Sequence, residues 1–138
     1  MPELIIIPII VVVLAQISKL ATDGIKGNLN LINILGKYGG MPSGHTSFVS
    51  SIGTLIFLKE GIESTFFAIW IIFMIIVIRD ALGARQEISR HSKVIKNIAK
   101  KIDITIPILN IRVGHKPKEV IAGMLFGIVA TLIIKFFI

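Results

Sequence analysis

The chain has 138 residues, 54% of them hydrophobic, and a mean hydropathy of +0.86, which is too apolar for a soluble domain of this size and fits one membrane-embedded domain over residues 1–138. It has no cysteine, which excludes a disulfide framework, a zinc–thiolate centre and a thiol nucleophile. The formal net charge of +7 comes with this hydrophobicity, so it points to anionic lipid or a phosphorylated substrate rather than to nucleic acid.

Four apolar windows predict an all-α, integral membrane helical bundle with about four spanning helices and interfacial amphipathic helices beside them. The first, residues 4–20, follows Met1-Pro2-Glu3 without a basic n-region and ends without a small-x-small cleavage site, so it reads as a retained membrane helix. Residues 21–40 are too polar to span and too apolar for a free loop, which suits a short interfacial or re-entrant segment. The second window, 46–58, belongs to a helix expected to begin near Ser43. Ser43, Ser47, Ser50 and Thr54 recur on one face of it and should point into the bundle, where hydroxyls find partners. The third window is 66–78. The fourth, 120–138, carries Gly123 and Gly127, whose spacing allows close helix packing. Each window is somewhat short against the roughly 20 residues of a spanning helix, and Lys135 is near enough to the end to snorkel.

The longest connection, residues 79–119, contains a helical repeat over 85–102. Ile88, Ile95, Ile98 and Ile102 fall on one side, and Arg90, Lys93, Lys96, Lys100 and Lys101 occupy much of the rest. Such a helix is expected on an anionic membrane surface; the competing reading is a solvated helix packed on the protein itself. An extended stretch around Pro107 should precede the last helix. If all four windows span, 13 of the 15 Lys and Arg residues lie on one side, with only Lys59 and Lys135 opposite. The positive-inside rule makes that side the cytoplasm and gives a multi-pass cell-membrane protein. The same side holds His45, His91 and His115.

Three clusters there bear on chemistry. In Pro42-Ser43-Gly44-His45, Pro42 suits a helix start, Ser43 and Gly44 leave amides open to an anion, and His45 titrates near neutral pH. His115 and Glu119 are four apart, so the carboxylate can fix one ring nitrogen and free the other as base or nucleophile; an accidental surface pair is the plainer reading. Arg79 and Arg85 flank the exit of the third window and carry forks suited to phosphate, with Asp80 as partner or turn cap, although arginines there are also routine anchors. Together these groups suit phosphoryl transfer through a phosphohistidine, without a metal or cofactor. Scattered histidines with one Glu leave zinc as a minor alternative.

These motifs resemble the type 2 phosphatidic acid phosphatase superfamily, which includes lipid phosphatases, soluble acid phosphatases and vanadate-dependent haloperoxidases. "GGMPSGHTS", "RDALGAR" and "GHKPKEVIAG" are similar to its small divergent membrane branch, and the resemblance runs from about Lys19 to the C-terminus. Of the superfamily's motifs K-x6-R-P, P-S-G-H and S-R-x5-H-x3-D, the second is intact as Pro42 to His45. It implies that His45 protonates the leaving group while Ser43 and the Gly44 amide hold phosphate. The third is altered: His115 matches the nucleophile, Glu119 stands for the orienting Asp, and Leu109 stands where Arg should be. If the basic helix splits this motif, Arg79 or Arg85 takes the Arg role, with Arg112 a weaker candidate. In the first motif Lys19 keeps its place as a phosphate ligand, but Lys26 replaces Arg and Gly27 replaces Pro.

The resemblance implies a membrane phosphatase acting on a lipid phosphate monoester or diphosphate, such as phosphatidic acid, phosphatidylglycerol phosphate or a polyprenyl phosphate. Its site would lie at the cytoplasmic interface. The superfamily core usually has six helices, so a homodimer is one way to complete the site. The degraded motifs leave a non-catalytic protein binding anionic headgroups as the alternative, and a small carrier or channel for phosphate-bearing solutes as a third.

Overall fold

The structure, a computed structural model, describes residues 2–23, 40–107 and 113–138. Among these residues every regular element is a helix: α1 (Glu3–Asp23), α2 (Gly44–Glu60), α3 (Thr65–Leu82), α4 (Ala84–Lys101) and α5 (Pro117–Phe137). Most of the segment expected to be interfacial, with Lys26 in it, falls outside the described residues, as does Arg112. Residues 104–107 carry no helix, as expected before the last span.

Two stretches, Thr65–Lys101 and Pro117–Phe137, contain helix long and apolar enough to cross a membrane. Few of their residues are buried by the rest of the protein, which a core helix of a soluble domain would require. Large side chains such as Ile72, Ile76, Leu125 and Ile133 face outward. Lipid is the solvent that accommodates such surfaces. α2 is different. Its 17 residues are rich in Ser and Gly, and it is the central helix, buried against α1, α3 and α5.

The α2–α5 contact sets the register of the bundle. Gly123 faces Ser43, Gly127 faces Ser47, and the Thr131 and Ser51 hydroxyls share a 2.6 Å hydrogen bond, so the two helices run parallel in steps of one turn. A β-carbon on Gly123 would come within 2.6 Å of the Ser43 carbonyl oxygen, which is why glycine is needed here. The expected hydroxyl face is buried: Ser47 donates to the Ser43 carbonyl at 2.8 Å, and Thr54 to the Ser50 carbonyl at 2.9 Å. α1 packs antiparallel to both helices through Ile7 and Val11, which meet Leu55 in the core. The α2–α3 hairpin turns at Gly61, whose φ of 80° suits glycine, and Ser64 caps α3 by accepting from the Phe67 amide. The Trp70 indole donates to the Val49 carbonyl at 2.7 Å.

The two ends of the bundle differ. At one, Lys135 pairs with Glu3 and the charge of Lys59 lies nearby. At the other lie the end of α1, the start of α2, the α3–α4 junction and the start of α5. The two basic residues that the sequence sets apart from the other thirteen are therefore both at the end away from the histidine pair.

Candidate functional site

Ser43 is the N-cap of α2, as its extended backbone and short hydroxyl side chain favour. Its Oγ accepts from the Thr46 hydroxyl at 2.8 Å and lies 3.5 Å from the Thr46 amide. Ser43 is fully buried, and its hydroxyl organises the helix mouth from beneath. Pro42 lies just outside the helix, after a cis Met41–Pro42 peptide. Gly44 and His45 occupy the first turn, where amides have no intrahelical acceptor and the helix dipole favours an anion. His45 is exposed, at the open side of this turn.

α5 begins beside it. Pro117 occupies the first turn, where its missing N–H costs nothing. Glu119 Oε2 accepts from the Lys116 amide at 3.1 Å and lies 3.1 Å from His115 Nδ1. A carboxylate only accepts, so this contact assigns the proton of the neutral ring to Nδ1 and the lone pair to Nε2. Burial holds the His115 pKa below the usual histidine value; the positive charges of Lys19 and Arg85 act in the same direction, and the hydrogen bond and charge of Glu119 oppose them. The Ser43 amide bonds the Glu119 carbonyl at 3.0 Å, which ties the His45 turn to the His115 turn.

The third contributor is the α3–α4 junction. Arg85 forms an ion pair through Nε with Asp80, and its Nη1 lies 3.5 Å from His45 Nδ1. A guanidinium only donates, so the facing Nδ1 presents its lone pair. Arg79 is exposed, and its described bond is a main-chain one, from the Gly83 amide to its carbonyl. Of the two arginines that the sequence leaves open, Arg85 is the one drawn in with the histidines. Lys19, on the last turns of α1, is close enough for its charge to act on both His45 and His115. Lys19, His45, Arg85 and His115 thus converge from four separate segments.

Three partners are not visible in the motifs. Gln86 Nε2 donates to the His115 carbonyl at 2.7 Å. Ser89 Oγ accepts from the Val113 and Gly114 amides, each at 3.0 Å. The Ala81 carbonyl accepts from the His115 amide at 3.2 Å. Gly114 permits this approach, since a β-carbon there would lie 2.7 Å from the Gln86 nitrogen. The loop ahead of His115 is therefore clamped to the first two turns of α4. Among the described residues no three His, Asp or Glu side chains gather as a metal-ligand set.

The sequence matches the Divergent PAP2 family over residues 2–130. The chain belongs to the Divergent PAP2 family. It is 29% identical over 143 residues to the uncharacterized membrane protein YuiD of Bacillus subtilis (strain 168), an alignment covering 91% of this chain and 89% of that protein. No solved structure matches. The family match covers P-S-G-H, the α3–α4 junction and G-H-K-P-K-E alike, the three segments that meet at the helix mouth, in a membrane protein with apolar helices around them.

Proposed function

We propose that this Divergent PAP2 protein is a multi-pass membrane phosphatase that hydrolyses a lipid phosphate monoester or diphosphate through a phosphohistidine on His115. The observation that carries the reading is the convergence of Lys19, His45, Arg85 and the Glu119-bound His115 at the mouth of α2. His115 Nε2 attacks phosphorus and the bond from phosphorus to the leaving oxygen breaks. His45, as the imidazolium that the bound phosphate anion favours, delivers the proton that this oxygen needs. Water then attacks the phosphohistidine and gives a proton back to His45, phosphate departs and His115 Nε2 regains its lone pair. Lys19, Arg85 and the first-turn amides of α2 balance charge on the equatorial oxygens. The concentration of basic residues toward this end favours a cytoplasmic site, open to lipids made on that face, such as phosphatidic acid, phosphatidylglycerol phosphate or a polyprenyl phosphate.

A second reading has a specific observation behind it. His115 is only 2% exposed, and Glu119 and Lys26 depart from the superfamily pattern, which suits a protein that binds anionic headgroups at His45 without turning them over. One experiment separates the two. Phosphate release by the purified protein from a panel of lipid phosphates is measured with EDTA present, for wild type, His45→Ala and His115→Ala. Release that disappears in both variants supports the phosphatase. No release by folded wild-type protein, with lipid phosphate retained on it, supports the binder.

A further inference from the structure

The basic helix α4 divides into three sectors. One stripe meets the protein: Ser92 and Ala99 are buried, and Ser89 holds the loop ahead of His115. These are small residues, so the helix lies close against its neighbours. A second sector is apolar and unpartnered. Ile88, Ile95, Ile98 and the capping Ile102 are 50%, 49%, 53% and 59% exposed, which decides against the packing of this face on the protein itself. A third sector is cationic: Lys93, Lys96 and Lys100 are all exposed and lie beyond the buried stripe, on the side of the helix away from the isoleucines. The helix carries six basic residues against one acid, Glu87, which pairs with Arg90.

An apolar face with a cationic face across the helix from it matches the boundary of a bilayer leaflet, apolar below and anionic at the headgroups. α4 also continues from α3, whose outward face is apolar from Phe66 to Ile76, through the single residue Gly83. We propose that α4 lies in the membrane interface, with its isoleucines in the acyl boundary and Lys93, Lys96 and Lys100 on anionic phospholipid headgroups. Arg85 and Gln86 are in the first turn of this helix and hold His45 and the His115 loop. The depth of α4 therefore sets the depth of the site. Where the phosphatase reading holds, on which this last step rests, the substrate is a phosphoester embedded in the same leaflet and not a soluble one.

The natural absence of cysteine makes a direct test possible. Single cysteines at Ile95 and Lys93 are spin-labelled in the full protein. It is reconstituted in phosphatidylcholine nanodiscs with and without phosphatidylglycerol, and collision with oxygen and with a nickel chelate is measured. The expected result is a label at 95 that is several-fold more accessible to oxygen than to nickel, with the reverse at 93. The protection at 95 deepens with phosphatidylglycerol, and this deepening is lost when Lys93, Lys96 and Lys100 are replaced by Gln. A label at 95 open to nickel in both lipids overturns the proposal. So does one shielded from both reagents, which would mean that a second protein copy covers this face. Equal protection with and without phosphatidylglycerol overturns the headgroup assignment. The same pair of labels at Ile88 and Lys96 guards against a local effect of one substitution. None of these readouts depends on catalysis, so failure here is distinct from failure of the phosphatase reading.

Discussion

One carboxylate oxygen of Glu119 serves both the ring of His115 and the amide of Lys116, each at 3.1 Å, so the group that caps α5 also orients the histidine. Glutamine keeps the shape but can offer an N–H to Nδ1, which favours the wrong tautomer. Phosphate release by Glu119→Gln should fall by about 10²- to 10⁴-fold, the range for losing an orienting carboxylate or a proton-transfer group. Glu119→Asp restores the charge on a shorter arm and should fall between wild type and Gln. Release assays beside circular dichroism of the purified variants check this. Equal losses in both would mean that arm length matters as much as charge.

The pKa of His115 gives a pH signature with a definite sign. Burial, with Lys19 and Arg85 beside it, holds the folded value below 6.5. As pH falls through the ordinary histidine range the unfolded chain takes up a proton and the folded protein does not, so stability declines below pH 6.5 until the folded group also titrates. Thermal midpoints measured in detergent between about pH 8 and about pH 5 should fall on the acid side, and His115→Gln should lack part of that fall. In the proposed reaction the neutral ring also attacks phosphorus, so the acid limb of kcat/KM should lie below pH 6.5 and not above it.

How much of this is legible in the sequence depends on the range of the interaction. The helices show in the apolar windows, and the isoleucine repeat places α4 correctly because a helix period is local. The His115–Glu119 pair is local too, one turn apart. The choice of Arg85 over Arg79 is not, because it depends on a contact with His45 that spans 40 residues of chain. Gln86 and Ser89 escape notice for the same reason: an amide and a hydroxyl on a basic helix look like ordinary surface until the loop ahead of His115 folds onto them. The cap at Ser43 is local as well: a serine just ahead of a helix favours this role, and the fold uses it so.

Arg85 and Arg79 offer a contrast that the sequence cannot supply. Arg85→Lys keeps the charge but loses the fork that faces both Asp80 and His45. Its release rate should drop by at least tenfold, whereas Arg79→Lys, at an exposed position, should stay within about twofold. Comparable losses in the two would show that the junction rearranges when substrate binds.

The clamp on the His115 loop should appear in rate before binding. Gln86→Ala removes one hydrogen bond and Ser89→Ala removes the acceptor of two main-chain amides. Half-buried amides left without an acceptor cost about 1–3 kcal/mol, so Ser89→Ala should lower the thermal midpoint more than Gln86→Ala. Because Gln86 holds the backbone of His115 and Ser89 that of the two residues before it, the proposed reaction should lose kcat with little change in KM. A rise in KM alone would mean that these residues touch substrate directly. The conservative Ser89→Thr, which keeps the acceptor, should recover most of the rate.

The parallel contact of α2 with α5 is what brings His45 and His115 to one level, and it depends on glycine. A side chain at Gly127 would drive into the Ser47 carbonyl and come within 2.9 Å of Ser50 Cβ, both on a buried helix that cannot yield. Gly127→Val should therefore destabilise by about 1–3 kcal/mol through overpacking, and the separation of the helices would lift the start of α5 from the mouth of α2. Thr131→Val is the milder probe. It keeps the shape but removes the bonds to Ser51 and to the Gly127 carbonyl, at 2.6 and 2.7 Å. A loss of about 1 kcal/mol is expected there, with the site geometry intact. Thermal unfolding of both variants, read beside their release rates, separates the two effects: Gly127→Val should lose rate and stability together, Thr131→Val only stability. Rate retained in Gly127→Val would show that the site does not depend on this register.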